Sequence, residues 1–178
     1  MAVSAVALVV TLVAVNMAVP QVTSYLRNNT EVYQTVEEAV RQALVQRHPR
    51  DSFQLVTKMP LRDFKDAEDL ERIFREQLTH CGVEYFDYYL LHNMGTNVYE
   101  SAEIRRLRLC SRKKAEGKIH QVGMSFHDMP ELLDEILSQY GEVLDFIQLQ
   151  INYVDWEQPN VQSRRCLEVA RSMGSLSR

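Results

Sequence analysis

The sequence predicts an α/β fold in which parallel strands alternate with helices, and three observations lead to this prediction. Four short apolar runs have the length and composition of buried strands. The segments between them repeat apolar residues with a helical period. The strand-like runs recur about every 30 residues, which leaves room for a crossover helix between parallel neighbours.

The four strand-like runs are short and rich in aromatic, β-branched and other apolar side chains. Residues 53–57 and 85–91 read FQLVT and YFDYYLL, and residues 120–124 and 146–151 read HQVGM and FIQLQI. At this length such compositions favour strands over helices. The sequence therefore predicts four strands of one sheet.

Helices are predicted in the segments that flank the strands. In residues 66–82 apolar side chains recur every three or four positions, and Gly82 is a typical C-terminal stop. In residues 128–141, Asp128 and Glu131 have the spacing of a capping box. The remaining predicted helices are residues 35–46, 101–117 and 161–173.

A parallel sheet covered by helices forms either an open doubly wound sheet or a closed (β/α)8 barrel. The doubly wound sheet normally carries a glycine-rich phosphate turn, and neither GxGxxG nor GxxxxGK[ST] occurs in this sequence. In the last strand Ile147 and Leu149 alternate with Gln148, which predicts an apolar outer face and a polar inner face. Gln150 and Asn152 extend that polar face, where they either serve a pocket or hydrogen-bond to one another. A barrel is therefore favoured.

The composition indicates one globular domain and excludes some partners. The 178 residues are 46% hydrophobic and 25% charged, as expected for a chain with an ordinary core. A formal net charge of −4 argues against nucleic-acid binding, which needs a basic face. Cys81, Cys110 and Cys166 are far apart and fit neither a disulfide framework nor a metal-ligand spacing. We expect reduced thiols and no bound metal.

The amino end is an exception to this ordinary composition. Residues 2–19 carry no charge, and their length is at the lower limit for a membrane span, but no Lys or Arg precedes them. The segment is a membrane anchor, a core element or the replaced start of a truncated gene, and we favour the last interpretation. The predicted division is an atypical segment over residues 1–34 and a partial barrel domain over residues 35–178. We expect a cytoplasmic protein, with tethering through residues 2–19 as the alternative.

Side chains of different chemistry follow three successive predicted strands. Lys58, His92 and Ser125 stand at the carboxyl ends of these strands, 34 and 33 residues apart. In (β/α) barrels the reacting groups come from these ends, because the loops there form the open pocket. A lysine, a histidine and a hydroxyl suit the polarisation of a carbonyl, whereas a metal site would need more histidines or carboxylates. His127 is expected in the loop before the next helix.

Four segments, in order, resemble consecutive parts of the aldo/keto reductase family, especially the bacterial branch that often carries an iron–sulfur tail. They read RDSFQLVTKMP, CGVEYFDYYLLHNM, KKAEGKIHQVGMSFHD and GEVLDFIQLQINYVDWEQPNVQSRRCLEVAR. Each segment alone is a weak match. Their joint occurrence within residues 35–171 is specific.

The resemblance implies an incomplete (β/α)8 TIM barrel, with roughly strands 3–6 and their helices recognisable, that uses NADPH to reduce a small aldehyde or ketone. In that family a tyrosine donates a proton to the carbonyl oxygen, a lysine paired with an aspartate lowers the tyrosine pKa, and a histidine orients the carbonyl. By resemblance Lys58 is the catalytic lysine and His92 the catalytic histidine. Ser125 and Gln148 match residues that bind the nicotinamide.

The sequence departs from the family pattern at both ends. The Asp-x-x-x-x-Tyr stretch that supplies the family's aspartate and tyrosine is not found, and Tyr25 and Tyr33 lie out of register with that tyrosine. Strands 7 and 8 are expected to be missing, and without the branch's cysteines no iron–sulfur cluster is expected. The alternative function is a non-catalytic truncated remnant, or a half-barrel that self-associates through open sheet edges.

Overall fold

The structure, a computed structural model, describes residues 36–59, 66–95 and 101–172, leaving aside the side chains of residues 101–103. These residues contain one four-stranded sheet whose strands are adjacent in chain order and all parallel. The predicted parallel α/β arrangement is thus confirmed. The strands are β1 (Val56–Met59), β2 (Phe86–Met94), β3 (Ile119–Phe126) and β4 (Phe146–Leu149).

Helices lie where the sequence predicts them. The first, α1, is α-helical over residues 36–40 and continues as a π-helical turn over Arg41–Val45. The others are α2 (Ala67–Cys81), α3 (Ser101–Ala115), α4 (Pro130–Tyr140) and α5 (Ser163–Ser172).

Helix α2 has well-defined ends that explain its position in the sequence. The Asp66 carboxylate accepts hydrogen bonds from the backbone N–H groups of Glu68 and Asp69, at 2.9 and 3.0 Å. This N-cap satisfies two donors that have no partner within the helix. At the other end Gly82 has φ +68°, a left-handed conformation that favours glycine. The predicted stop at Gly82 is confirmed.

The predicted capping box of α4 is wrong. The N-cap is Met129, which makes no side-chain capping bond, and Pro130 occupies the first helical turn. Asp128 lies one residue too early to cap the helix, and its Oδ1 accepts instead from the Met129 N–H at 2.8 Å. The Glu131 carboxylate binds Arg165 of α5 at 2.6 Å. The Glu131 carboxylate therefore links α4 to α5 and does not form the predicted capping box.

The outer face of the sheet carries the core. Met59, Leu91, Met124 and Ile147 are register partners across all four strands, and the first three have no exposed surface. This continuous apolar row packs under the helices, as expected for the outside of a (β/α) barrel. Buried helix residues that complete the core are Leu70, Phe74, Leu107, Cys110, Leu133, Ile136, Cys166 and Ala170.

Phe86 marks the limit of the strand alternation. Counting by twos from His92 assigns Phe86 to the inner face, yet its ring lies 6.0 Å from the Phe74 ring of α2 and 5.6 Å from the Tyr89 ring. Phe86 is the first residue of β2, where the pleat is not yet established, so it joins the outer core. The alternation holds from Tyr88 to Leu91, where the register begins to shift.

Candidate functional site

The four predicted site residues lie on the inner face, near the carboxyl ends of the strands. In the strand register Lys58 of β1 is opposite Leu90 of β2, and His92 lies two residues further along the same face. Ser125 of β3 is directly opposite Gln148 of β4. The structure therefore brings the four residues to one edge of one face, although their functional roles remain predictions.

An apolar layer lies beneath these polar residues. Phe146 is the register partner of Gly123, and a Cβ atom added to Gly123 would collide with the Phe146 ring. The same ring meets Tyr88 edge-on, with 5.4 Å between centroids. Because Gly123 has no side chain, the Phe146 ring can pack directly against the backbone of β3.

Ser125 fastens the end of β2 to β3. The register of these strands shifts between Leu91 and Met94, and Asn93 adopts a left-handed conformation with φ +51°. The Asn93 N–H donates to Ser125 Oγ at 2.8 Å, and Ser125 is completely buried. The bulge thus contains His92 and Asn93, between Leu91 and Met94, and such bulges often re-aim a neighbouring side chain at a functional site.

Lys58 is a half-buried cation. No carboxylate among the described residues pairs with its Nζ, and burial lowers the pKa of the ammonium group. Its backbone is held from behind: Gln77 Nε2 donates to the Lys58 carbonyl oxygen at 3.1 Å, and the buried Tyr89 hydroxyl donates to Gln77 Oε1 at 2.5 Å. Within the described ranges Lys58 therefore presents a cation without a carboxylate partner from a fixed main chain, which suits the stabilisation of negative charge on a ligand oxygen.

Gln148 carries a buried acceptor that lacks a donor. Within the described part of the chain its Oε1 has no hydrogen-bond partner. A buried polar atom left in this state costs about 1–3 kcal/mol, so native structures rarely keep one without a reason. An amide oxygen beside a serine hydroxyl fits the –NH2 group of a carboxamide, which is the polar group of nicotinamide.

Sequence reasoning missed a hydrogen-bonded chain just beyond these residues. His127 Nδ1 lies 2.9 Å from Gln150 Oε1, and Gln150 Nε2 donates to Asp155 Oδ2 at 2.6 Å. Asn152 Nδ2 donates to the same Asp155 oxygen at 2.5 Å. Gln150 and Asn152 therefore do not satisfy each other, as one alternative held, but share a carboxylate. Alternation by two from Ser125 and Gln148 was the signal that could have placed His127 beside Gln150.

Some predictions fall on residues that the structure does not describe. Tyr25, Tyr33 and the apolar segment 2–19 lie outside the described residues, so the division into residues 1–34 and 35–178 stays a prediction. In the described ranges no helix is long and apolar enough to cross a membrane.

Comparison with protein families gives one match over nearly the whole chain. A model described as the aldo/keto reductase family matches residues 9–175. Among curated proteins, a probable NAD(P)H-dependent D-xylose reductase of Arthroderma otae is 31% identical over 121 residues, covering 67% of this chain and 36% of that protein. A protein of the same description from Emericella nidulans is 35% identical over 92 residues, covering 52% of this chain and 27% of that protein.

Solved structures give the same fold. An aldo/keto reductase from Klebsiella pneumoniae, solved with NADP and acetate, superposes with a TM-score of 0.60 and 26% identity over 80% of this chain and 46% of that chain. An aldo-keto reductase from Bacillus halodurans superposes with a TM-score of 0.61 at 21% identity, over 78% of this chain and 45% of that chain. The chain thus spans about a third of the curated relatives' length and a little under half of these solved chains. It has the fold of part of a (β/α)8 barrel.

Proposed function

Because the chain belongs to the aldo/keto reductase family, we propose that it carries the lysine–histidine half of a site that reduces an aldehyde or ketone with NADPH. The observation that carries the proposal is the edge formed by Lys58, His92, Ser125 and Gln148 on neighbouring parallel strands. The relatives support the proposal, because the two fungal xylose reductases are described as NAD(P)H-dependent and the Klebsiella pneumoniae reductase was solved with NADP.

Gln148 and Ser125 are the residues proposed to hold the nicotinamide end of the cofactor. Gln148 Oε1, buried without a donor among the described residues, would accept a hydrogen bond from the carboxamide –NH2. Ser125 Oγ already accepts from the Asn93 N–H, so its hydroxyl hydrogen is the group left to donate. When bound, the reduced nicotinamide supplies a hydride to the carbonyl carbon.

Lys58 and His92 are the residues proposed to act on the carbonyl oxygen. The Lys58 cation has no described carboxylate beside it, so its field acts on any oxygen brought near and lowers the pKa of a proton donor placed there. His92 is half-buried two residues beyond the register partner of Lys58, and its imidazole is proposed to orient the carbonyl by a hydrogen bond. The proton donor would be a tyrosine, and Tyr25 and Tyr33 are the candidates.

Steady-state oxidation of NADPH by the full chain with short aldehydes and D-xylose tests the proposal. Lys58→Met keeps the length of the side chain but removes the charge, and we expect at least a hundredfold loss of kcat/KM, about 2.7 kcal/mol of transition-state stabilisation. The matched control is Lys118→Met, which removes a lysine from the opposite end of β3 and should leave the rate unchanged. Equal, background-level rates in all three proteins would refute a reductase and favour the alternative of a non-catalytic remnant that self-associates.

A further inference from the structure

We propose that His127 is an additional ligand-binding residue, whose Nδ1–H is committed to Gln150 and whose Nε2 accepts a hydrogen bond from a ligand hydroxyl group. This inference rests on the proposed function for the identity of the ligand. The arrangement of His127, Gln150 and Asp155 stands independently of it, because it follows from donor and acceptor chemistry alone.

The first step is that Asp155 fixes the orientation of the Gln150 amide. A carboxylate only accepts hydrogen bonds, so the Gln150 atom 2.6 Å from Asp155 Oδ2 must be the –NH2 nitrogen. The turn that holds Asp155 is itself fixed, since Asn152 Oδ1 accepts from the N–H groups of Val154 and Asp155 at 3.0 and 2.9 Å. Gln150 Oε1 is therefore directed at His127.

The second step is that Gln150 fixes the tautomer of His127. An amide oxygen cannot donate, so the contact of 2.9 Å requires the proton to be on His127 Nδ1. In the neutral ring the lone pair is then on Nε2. No side chain in the described ranges hydrogen-bonds to Nε2.

The third step is that the ring is neutral near pH 7. His127 is an exposed residue, yet nearby protein atoms partly desolvate its ring, and this desolvation lowers the pKa of the imidazole. The hydrogen bond to Gln150 acts in the opposite direction, and the positive charge of Lys58 lowers the pKa further. Asp155 is the carboxylate at the end of the hydrogen-bonded series His127–Gln150–Asp155, and it acts on the His127 ring through Gln150. A neutral ring with Nδ1–H is an acceptor and not a donor at Nε2.

The fourth step is position. His127 and Gln150 lie two residues beyond Ser125 and Gln148, each one residue past the end of its strand, and we infer from continued alternation that they form the next layer outward on the same face. His127 and Gln150 also line a small, partly open cavity of about 10 Å³ beside Phe126, Leu149 and the start of α5, with room for about one water molecule. Lys58 does not line this cavity, but its charge acts on the His127 ring. A Lys58 donor on one side and a His127 acceptor on the other suit a ligand in which a hydroxyl stands near a carbonyl or phosphate oxygen. Two sources supply such a hydroxyl: the carbon next to the carbonyl of a hydroxyaldehyde, and the ribose of the cofactor.

The test begins with the tautomer, measured by long-range ¹H–¹⁵N correlation on the ¹⁵N-histidine-labelled full chain at pH 7. We expect the Nδ1–H form for His127, and in Gln150→Leu a shift of the population toward Nε2–H. Gln150→Glu should raise the His127 pKa, because it places a carboxylate beside Nδ1–H. Gln139→Leu, an exposed change on α4, is the matched control. A His127 imidazolium at pH 7, or a tautomer population that is the same in the wild type and in Gln150→Leu, would overturn the inference.

Ligands then separate the two hydroxyl sources. Movement of the His127 Nε2 resonance on adding glycolaldehyde but not propanal identifies a substrate hydroxyl, and movement on adding NADPH identifies the ribose. If NADPH binds by its own fluorescence while neither addition moves Nε2, the ligand role of His127 is refuted and the proposed function survives. If NADPH does not bind and glycolaldehyde moves nothing, both fail, whereas the tautomer result still stands.

Discussion

Two glutamines of the chain differ in whether their amide oxygen has a donor. Gln77 is fully used: its Oε1 accepts from the Tyr89 hydroxyl and its Nε2 donates to the Lys58 carbonyl. Gln148 Oε1 is buried and, among the described residues, has none. The first glutamine therefore stabilises the fold, whereas the second is retained at a cost in stability, as ligand-binding groups often are.

This contrast predicts opposite effects of the same substitution. Gln77→Leu leaves the buried Tyr89 hydroxyl without an acceptor, and we expect it to lower the free energy of unfolding by about 1–3 kcal/mol. Gln148→Leu removes an unsatisfied acceptor and should leave that free energy unchanged or raise it. Urea unfolding of both variants measures the difference. Equal destabilisation would mean that Gln148 has a structural partner.

Burial of Lys58 predicts a pH-dependent contribution to stability. The folded-state pKa of Lys58 is below its ordinary value of 10.5, so between the two pKa values the unfolded chain binds more protons and stability rises with pH. Below both values the cost of burying the cation is fully present. Lys58→Met should therefore be more stable than the wild type at pH 7, with an advantage that shrinks as the pH approaches 10.5. Thermal melts at pH 7 and 10 test this, with Lys118→Met as the control. An advantage that does not change with pH would contradict it.

At the scale of the elements, two aspartates perform the same task at the amino ends of the strands. Asp87 Oδ2 accepts from the Leu55 N–H at 2.7 Å and from Arg50 at 2.6 Å. Asp145 Oδ2 accepts from the Val122 N–H at 2.8 Å. Each carboxylate therefore binds a main-chain N–H of the preceding strand segment, Leu55 just before β1 and Val122 within β3, and so helps to fix the register of neighbouring strands.

Removing such a carboxylate should loosen the sheet without touching the proposed site. In Asp87→Asn the amide loses the charge that pairs with Arg50 and can present –NH2 to the Leu55 N–H. We expect a loss of about 1.5–3 kcal/mol in the free energy of unfolding, the range for hydrogen bonds to charged groups. Asp134→Asn on the exposed face of α4 is the matched control. Equal stability of the two variants would show that Asp87 does not set the register.

The element boundaries show what the sequence alone could predict. Periodicity placed the helices and the four strands, and the glycine stop at Gly82 placed the end of α2, because those signals are local, whereas the capping box predicted for α4 was wrong. The ladder begins at Val56 rather than Phe53, since the Leu55 N–H bonds to a distant carboxylate. Strand β2 extends to Met94 because its bulge is fastened by Ser125, and β4 ends at Leu149 because the Gln150 carbonyl oxygen accepts from the Ser163 hydroxyl at 2.5 Å. Each of these changes in a strand boundary depends on a side chain far away in sequence, and local periodicity carries no information about such contacts.

At the scale of the molecule, the described residues form one contiguous part of a (β/α)8 barrel. Its outer face packs into the apolar core. On its inner face, the Phe146 ring lies below the polar edge formed by Lys58, His92, Ser125 and Gln148. Strand ends and alternation predicted those four residues. Alternation could have placed His127 beside Gln150, but the hydrogen bond between them depends on how the turn at Asp155 orients the Gln150 amide, which no sequence pattern indicates. We propose that the polar edge is the layer that binds the cofactor and that His127 and Gln150 form a second layer beyond it.

Equilibrium titration of the full chain with NADPH, followed by nicotinamide fluorescence, tests that claim most directly. We expect saturable binding by the wild type, unchanged binding by Gln139→Leu, and about tenfold weaker binding by Gln148→Leu, the loss of one hydrogen bond worth about 1.4 kcal/mol. Because Gln148→Leu should not destabilise the fold, weaker binding reports the site itself. Absence of saturable binding by the wild type, or equal affinity in the wild type and Gln148→Leu, would contradict the account.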